Sequence, residues 1–254
     1  MRRYEQPAIE VAGHRIAGHG TETGLWVSDA PVEDAGAAWL TIARDPVAPG
    51  FVAVLIDESD GSWVEEPDWF EPGYLASDAD ADLVSTLTSW WEDVLVDEGD
   101  DGEDGELVAE ETAPFGRRFP GLAPATTRDA DQGAVQRAVV ERRGFRLAVV
   151  AGETTADVPG AVGWLGAVNA DQSPSAMSTV LRSWEQRFGA RLVVLGRDTM
   201  ELLVTRPPAT AAEALPIAAE HYAFCFDNIS QGVGSISDYS SGLVGAVAWS
   251  FWWD

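Results

Sequence analysis

The stretch SPSAMSTVLRSWEQRFGARLVVLGRDTMELLVTR, residues 173–206, contains the clearest pattern in the chain and decides the expected fold. Apolar residues recur with helical spacing over 173–188, and Ser173 followed by Pro174 is typical of a helix N-terminus. Gly189 ends this helix, because glycine commonly follows a last helical turn. The apolar, β-branched residues that follow predict two strands joined by a tight turn.

The flanking segments add further helices and strands to this unit. A Thr210–Glu213 capping box predicts the start of another helix, although Pro216 conflicts with a helix interior. Two more helices are expected, over 127–144 and 235–245. The expected strands of this half are 145–152, 161–169, 191–196, 200–206 and 246–253.

The order of these elements predicts an α+β domain over residues 127–254. Helices would pack on a mixed or largely antiparallel sheet, because the order α-β-β-α-β-β-α-α-β is typical of a layered α+β domain. Residues 1–96 form a separate N-terminal region that the pattern assigns to the α/β class. Residues 97–126 are rich in acidic residues, Gly and Pro, and are expected to be a linker or loop.

The N-terminal region contains three expected elements. The runs AAWLTIARD (37–45) and FVAVLIDE (51–58) are bounded by Pro and Gly and predict strands. The second of these runs does not alternate, which indicates burial on both faces of a sheet. Helical spacing of apolar residues predicts a helix over 80–98.

Charge is distributed very unevenly along the chain. The protein has 254 residues with 42 Asp and Glu against 16 basic residues, all of them Arg, and a formal net charge of −26. Residues 57–111 contain 21 acidic residues and no Arg. Nucleic acids and anionic membrane surfaces are therefore excluded as partners, since both need a basic protein surface.

The only cysteine, Cys225, excludes an intrachain disulfide and a Cys-rich zinc site. A reducing cytoplasm is the expected location, and the N-terminus lacks the apolar segment of a signal peptide. The absence of Lys, together with abundant Ala, Gly and Val, is typical of a high-GC bacterial genome.

The acidic stretch partly resembles a calcium-binding loop. Asp100, Asp104 and Glu111 would occupy positions 1, 5 and 12 of an EF-hand, so they are the metal-ligand candidates. Position 3 is Gly102, which has no oxygen side chain, and the Pro- and Gly-containing sequence after Glu111 cannot form the exiting helix. A solvated linker therefore explains the segment better, and no metal site is predicted.

The best cluster of chemically active side chains is EHYAFCFDNISQG, residues 220–232. His221 and Cys225 are four residues apart on the expected helix, so the imidazole could lower the pKa of the thiol and activate it as a nucleophile. Glu220 is the third catalytic candidate. The alternative is structural, because a lone cysteine is commonly a small buried apolar residue.

Four further residues are candidates for binding. Asp227, Asn228 and Gln231 follow the expected helix, and Trp252 points away from its neighbours on the last expected strand. Asp227 and Asn228 could instead cap the helix end and shape the following turn. The chain has no GxGxxG after a strand, no Walker loop, no HExxH and no GxSxG, so no cofactor is predicted.

Several rare strings in the second half resemble a bacterial family known as domain of unknown function 4253. They are LRSWEQRFGARLV (181–193), RPP (206–208), AAEHYAFCFDN (218–228) with Gln231–Gly232, and WSFWWD (249–254). The resemblance spans about residues 145–254. It implies one α+β domain that ends at the chain terminus, and no particular activity or ligand.

These observations favour a soluble, non-enzymatic module that binds another protein, of an immunity or regulatory type. An acidic surface would speed the encounter with a basic partner. Two alternatives stay open at this point: an enzyme that uses Cys225 with His221, and a calcium-linked protein that uses Asp100–Glu111.

Overall fold

A seven-stranded sheet organises the described part of the protein. The computed structural model describes residues 9–11, 13–45, 49–59, 61–74, 82–97 and 108–254. Their strands are β1 (Glu10–Val11), β2 (His14–Arg15), β3 (Gly18–Gly20), β4 (Trp26–Ser28), β5 (Phe51–Ile56), β6 (Arg146–Ala151), β7 (Ala190–Leu195), β8 (Thr199–Val204) and β9 (Ala248–Trp252). Strands β1 and β2 pair with each other, and the other seven form one sheet in the order β3-β4-β6-β5-β7-β8-β9.

Helices surround this sheet. They are α1 (Ala35–Arg44), α2 (Leu83–Asp97), α3 (Gln132–Val140), α4 (Val158–Val162), α5 (Pro174–Phe188), α6 (Ala211–Phe224) and α7 (Ile236–Leu243). Within the described ranges, every helix is too short or too polar to traverse a lipid bilayer.

The sheet is mixed and mostly antiparallel, which confirms the expected α+β class. All neighbouring pairs are antiparallel except β5 and β7, which run parallel through the partners Leu55–Val194 and Ile56–Leu195. The parallel pair lies in the middle of the sheet, where both faces are covered, as parallel strands require.

Strand β5 is buried on both faces, as its continuous apolar sequence predicts. Val54 and Ile56 belong to one apolar core and Ala53 and Leu55 to a second. The first core is closed by α2, α5, α6 and α7, whereas α1 and α3 close the second. The sheet is thus a central layer between two helical layers.

Helix α5 begins and ends where the sequence predicts. The Ser173 Oγ accepts a hydrogen bond from the Ala176 N–H at 3.1 Å, and Pro174 occupies the first turn. Gly189 follows the helix with φ = 64°, a left-handed conformation that a side chain disfavours. Helix α6 is also capped as expected, since the Thr210 hydroxyl accepts from the Glu213 N–H.

Two expected strands are wrong. Residues 37–45 lie almost wholly in α1, because Ala35, Ala38, Trp39 and Ile42 form a helical apolar stripe that buries against the sheet. An apolar run of this length is equally compatible with either structure, and here the helical period decides.

The expected strand 161–169 is wrong for a different reason. Helix α4 occupies residues up to Val162 and ends at Gly163 with φ = 68°. A single bridge between Trp164 and Phe70 is the only strand-like pairing there among the described residues. Pro159 in the first turn of α4 fits a helix start better than a strand.

The sheet joins distant parts of the sequence. Strands β3, β4 and β5 come from residues 1–96, and β6 to β9 come from residues 127–254. Strand β6 lies between β4 and β5. The division of the chain into three regions stays a prediction, and residues 98–107 of the acidic region lie outside the described residues.

Candidate functional site

Asn228 closes the outer edge of β9. It lies in a π-helical turn, Asn228–Val233, that follows α6. Its Nδ2 donates to the Ser250 carbonyl at 2.6 Å, and its Oδ1 accepts from the Trp252 N–H at 3.2 Å. One side-chain amide therefore replaces a neighbouring strand and satisfies two backbone groups that an edge strand leaves open.

Two neighbours of Asn228 continue this edge contact. The Cys225 Sγ donates to the Trp252 carbonyl at 2.9 Å, and the Asp254 N–H donates to Asp227 Oδ2 at 3.3 Å. Gln231 in turn donates from Nε2 to Asp227 Oδ1 at 2.8 Å. We call Cys225, Asp227 and Asn228 the edge clamp.

The edge clamp shows what the predicted binding residues do within the chain. Asp227, Asn228 and Gln231 are engaged in contacts that hold the C-terminal strand. Trp252 is 38% exposed, although its N–H and its carbonyl both bond to the clamp. Of the four binding candidates, Trp252 is therefore the one that exposes a large apolar ring.

The His221 side chain is fully buried in an aromatic cage. Its ring centroid lies 4.6 Å from that of Trp249, 4.8 Å from that of Trp184 and 4.9 Å from that of Phe251. Nδ1 is 3.2 Å from the Tyr239 hydroxyl, whereas Nε2 has no hydrogen-bond partner among the described residues. Burial, with a smaller contribution from the charge of Arg187, lowers the pKa of His221 to about 3.

The surroundings of His221 and Cys225 do not favour the hypothesis that the imidazole activates the thiol as a nucleophile. Burial raises the pKa of the Cys225 thiol, so the reactive thiolate is suppressed at neutral pH. The thiol donates to the Trp252 carbonyl, and the His221 Nδ1 faces Tyr239 instead of the sulfur. A nucleophile and its base need mutual contact and access to a substrate. The described contacts provide neither for His221 and Cys225.

Glu220 is the centre of a buried ion pair. Its two carboxylate oxygens each accept from an Arg187 terminal nitrogen at 2.6 Å. Trp184 Nε1 donates to it at 2.8 Å and the Ala123 N–H at 2.7 Å. The carboxylate thus ties α5, α6 and the segment before α3 together.

The calcium hypothesis rests mostly on residues outside the described part of the chain. Asp100 and Asp104 lie there. Glu111 is described: it is 9% exposed, and Ser230 Oγ donates to its carboxylate. Among the described residues, no group of three or more His, Cys, Asp or Glu side chains is placed to hold a metal ion.

A different feature has the character of a binding site. A pocket of about 370 Å³ lies between the β3–β4 turn and the 3₁₀ turns Trp63–Glu65 and Pro67–Trp69. We call it the acid-lined pocket. Its side-chain lining includes His19, Thr21, Glu22, Val64, Glu65, Glu66, Pro67 and Phe70.

A charged network supports one wall of the acid-lined pocket. His19 Nδ1 lies 2.8 Å from Asp29 and Nε2 3.1 Å from Glu65, and these two hydrogen bonds raise the pKa of His19. Arg146 donates to Glu65 at 2.8 Å and to Glu58 at 3.1 Å. Although burial opposes it, hydrogen bonding from His19 and Arg146 lowers the pKa of Glu65, so its carboxylate stays ionised.

One segment of the chain is similar to a known protein family. Residues 146–254 match the family described as domain of unknown function (DUF4253). This confirms the resemblance seen in the sequence. A search of the curated proteins and a search of the solved structures gave no match.

The matched segment, residues 146–254, begins with β6. The edge clamp and the His221 cage are formed wholly by residues of this segment. The residues that line the acid-lined pocket all precede the matched segment, although Arg146 contacts Glu65 and Trp164 pairs with Phe70 from within it. The strings 218–228 and 249–254 that carry the resemblance therefore correspond to internal packing and edge closure in this fold.

Sequence reasoning did not find the acid-lined pocket. Glu65 and Glu66 stand in the segment without Arg, but His19 is 46 residues away from Glu65 in sequence. The turn chemistry around Thr21–Thr23 was the only local signal, and such turns are common in hairpins.

The edge clamp gives a testable expectation. Asn228→Ala should lower the free energy of unfolding by about 1–3 kcal/mol, because two backbone groups of β9 lose their hydrogen bonds with the Asn228 amide. It should also promote self-association through the opened edge. Urea denaturation and light scattering after gel filtration measure the two effects.

Asn169→Ala is the matched control for this substitution. Asn169 is exposed and donates one hydrogen bond to the Asp254 carbonyl at 3.3 Å. Its removal should change stability by less than about 0.5 kcal/mol. Equal effects of the two variants would contradict the edge-closing role of Asn228.

Proposed function

We propose that this protein is a non-enzymatic module that binds another protein, of a regulatory or immunity type, and that its acid-lined pocket receives a basic side chain of the partner. The observation that carries the proposal is the combination of carboxylates and apolar surface in one hollow of about 370 Å³. Glu22, Glu65 and Glu66 supply the carboxylates, and Val64 and Phe70 supply the apolar surface.

An arginine or lysine side chain is complementary to this combination. Its aliphatic stem would lie against the exposed Pro67 and the small accessible parts of Val64 and Phe70, while its charged end would meet the carboxylates. Glu65 is already paired with His19 and Arg146, which fixes the position of its carboxylate. Glu22 and Glu66 are exposed at the rim, where they can adjust to the incoming charge.

The overall charge favours the same kind of partner. With a net charge of −26, and 21 acidic residues without an Arg over 57–111, the protein attracts basic surfaces over long distances. The same charge disfavours nucleic acids and anionic membranes as partners. The free thiol of Cys225 is compatible with the reducing cytoplasm of a bacterium, which we propose as the location.

The test uses a defined basic probe. N-acetyl-Gly-Arg-Gly-amide is titrated into the ¹⁵N-labelled protein, and its binding is followed by backbone amide shifts. We expect the largest shifts at Gly20–Thr23 and Glu65–Phe70, and an affinity that weakens as salt is raised. The double variant Glu22→Gln/Glu66→Gln should weaken binding by about three- to ten-fold, since each exposed pair contributes little alone.

The control separates the pocket from general acidity. Glu141→Gln/Glu153→Gln removes the same two charges from exposed positions outside the acid-lined pocket. This variant should bind the probe within about two-fold of the parent, because distant exposed charges are screened at physiological salt. Equal weakening by both double variants, or shifts spread over the whole surface, would overturn the proposal.

A further inference from the structure

A second pocket, of about 220 Å³, lies where the segment before α3 meets the start of α6. We call it the Arg-lined pocket, and it shares no lining residue with the acid-lined pocket. Its principal lining residues are Arg128, Phe188, Arg206, Pro208, Pro216 and Ile217. Phe188, Pro208 and Ile217 are buried, so they form an apolar floor beneath exposed residues at the mouth.

Arg206 forms no ion pair with an acidic side chain in the part of the chain that the structure describes. Of the arginines in residues 146–254, all the others form an ion pair among the described residues, namely Arg146, Arg182, Arg187, Arg191 and Arg197. Arg206 donates to the Gln186 carbonyl at 2.8 Å, and its Nε has no hydrogen-bond partner in the described part of the chain. A guanidinium at a pocket that has no carboxylate partner among the described residues is complementary to an anionic ligand.

Arg128 brings a second guanidinium to the same pocket. It donates to the Pro207 carbonyl at 2.8 Å and pairs with Glu213 at 2.9 Å. Arg128 and Glu213 are both exposed, so water screens this pair and it gives way to a competing carboxylate at little cost.

Pro216 adds a backbone acceptor to the wall. Proline has no N–H, so the Ala212 carbonyl lacks its usual donor four residues later in α6. Ala212 and Pro216 both line the pocket. Because a helical carbonyl points toward the residue four positions later, the Ala212 carbonyl points toward Pro216. The proline that conflicts with a helix interior thus removes the usual donor to the carbonyl of Ala212, a residue that lines the same pocket as Arg128 and Arg206.

We infer that the Arg-lined pocket binds the carboxyl-terminal apolar residue of a peptide or an N-acylated amino acid. The carboxylate meets Arg206 and Arg128, the ligand N–H donates to the Ala212 carbonyl, and the apolar side chain contacts Phe188 and Ile217. A volume of about 220 Å³ is sufficient for such a side chain, since a cavity of about 150 Å³ already holds benzene.

The experiment titrates N-acetyl-L-phenylalanine into the full-length ¹⁵N-labelled protein. Shifts are expected at Ala125–Arg128 and Ala212–Ile217. N-acetyl-L-phenylalaninamide lacks the negative charge. Its affinity should be lower than that of the acid by about ten-fold or more, because a charge-assisted hydrogen bond is lost. 4-Phenylbutyrate keeps the carboxylate and the ring but has no N–H, and it should also bind more weakly.

Two variants test the assignment of the guanidinium groups. Arg206→Gln should weaken binding of N-acetyl-L-phenylalanine about ten-fold, and the exposed Arg128→Gln should weaken it less. Arg143→Gln is the control, because Arg143 is exposed and pairs with Asp34 outside the pocket. The thermal unfolding midpoint of each variant is measured first, and Arg128→Gln serves alone if Arg206→Gln does not fold.

The outcomes are distinct. The inference is supported if the protein binds the acid more tightly than the amide. In addition, Arg206→Gln or Arg128→Gln must weaken binding of the acid, and Arg143→Gln must not. Equal binding of acid and amide, shifts away from the pocket, or no binding at 50 mM probe would overturn it. Equal binding of 4-phenylbutyrate would overturn the assignment to a peptide group. None of these results depends on the acid-lined pocket.

Discussion

Replacing Glu220 by Gln is expected to lower the free energy of unfolding by about 3–5 kcal/mol, because it leaves the Arg187 charge without its buried partner. The Glu220 side chain is fully buried and that of Arg187 is 12% exposed, so water cannot replace the lost carboxylate. The amide would also present an N–H₂ group to Arg187 or to Trp184, both of which are donors. The effect is therefore larger than that of losing one neutral hydrogen bond.

Urea denaturation followed by tryptophan fluorescence measures this loss. Asp34→Asn is the matched control, since it removes the carboxylate of an exposed pair with Arg143 and should cost less than about 1 kcal/mol. The double variant Arg187→Met/Glu220→Leu removes both charges and should regain much of the loss. A loss in Glu220→Gln no larger than that of Asp34→Asn would refute the role of Glu220 as the centre of a buried pair.

The parts of the fold that the sequence predicts are those with a local cause. Helix α5 has a cap at Ser173, a regular apolar stripe and a terminal Gly189, and all three act over a few residues. Strand β5 (Phe51–Ile56) has an apolar run without alternation, which is typical of a strand that is covered on both faces of its sheet. The runs 37–45 and 161–169 lack such unambiguous signals, and their structure depends on which distant surface they cover.

The roles of the candidate site residues also depend on contacts that are distant in sequence. His221 and Cys225 have the types and spacing that nucleophilic catalysis needs, but the same residues also serve packing. Their role is decided by Trp249 and Trp252, which lie more than twenty residues away in sequence. Residue type and spacing predict that a side chain can do chemistry, whereas burial and partners decide whether it does.

The second large effect concerns acid stability and His221. The imidazole has a pKa of about 3 in the folded protein, whereas an unfolded histidine has a pKa of about 6.5. Between these values the unfolded state binds one more proton than the folded state. Above pH 6.5, the titration of His221 therefore does not lower the free energy of unfolding. As the pH falls from 6.5 toward 3, the free energy of unfolding decreases progressively. By pH 4 the expected loss from this group is roughly 3 kcal/mol.

Carboxylates also contribute to acid denaturation, so the prediction is a difference between two proteins. His221→Phe keeps an aromatic ring among Trp184, Trp249 and Phe251 but cannot be protonated. Its free energy of unfolding, measured in urea from pH 7 to pH 4, should fall by roughly 3 kcal/mol less than that of the parent. Parallel curves for the two proteins would mean that the folded state accepts the proton, which requires the His221 cage to open to water. A cage that opens in this way would restore the access that nucleophilic use of Cys225 needs, so the same measurement also tests the enzyme alternative.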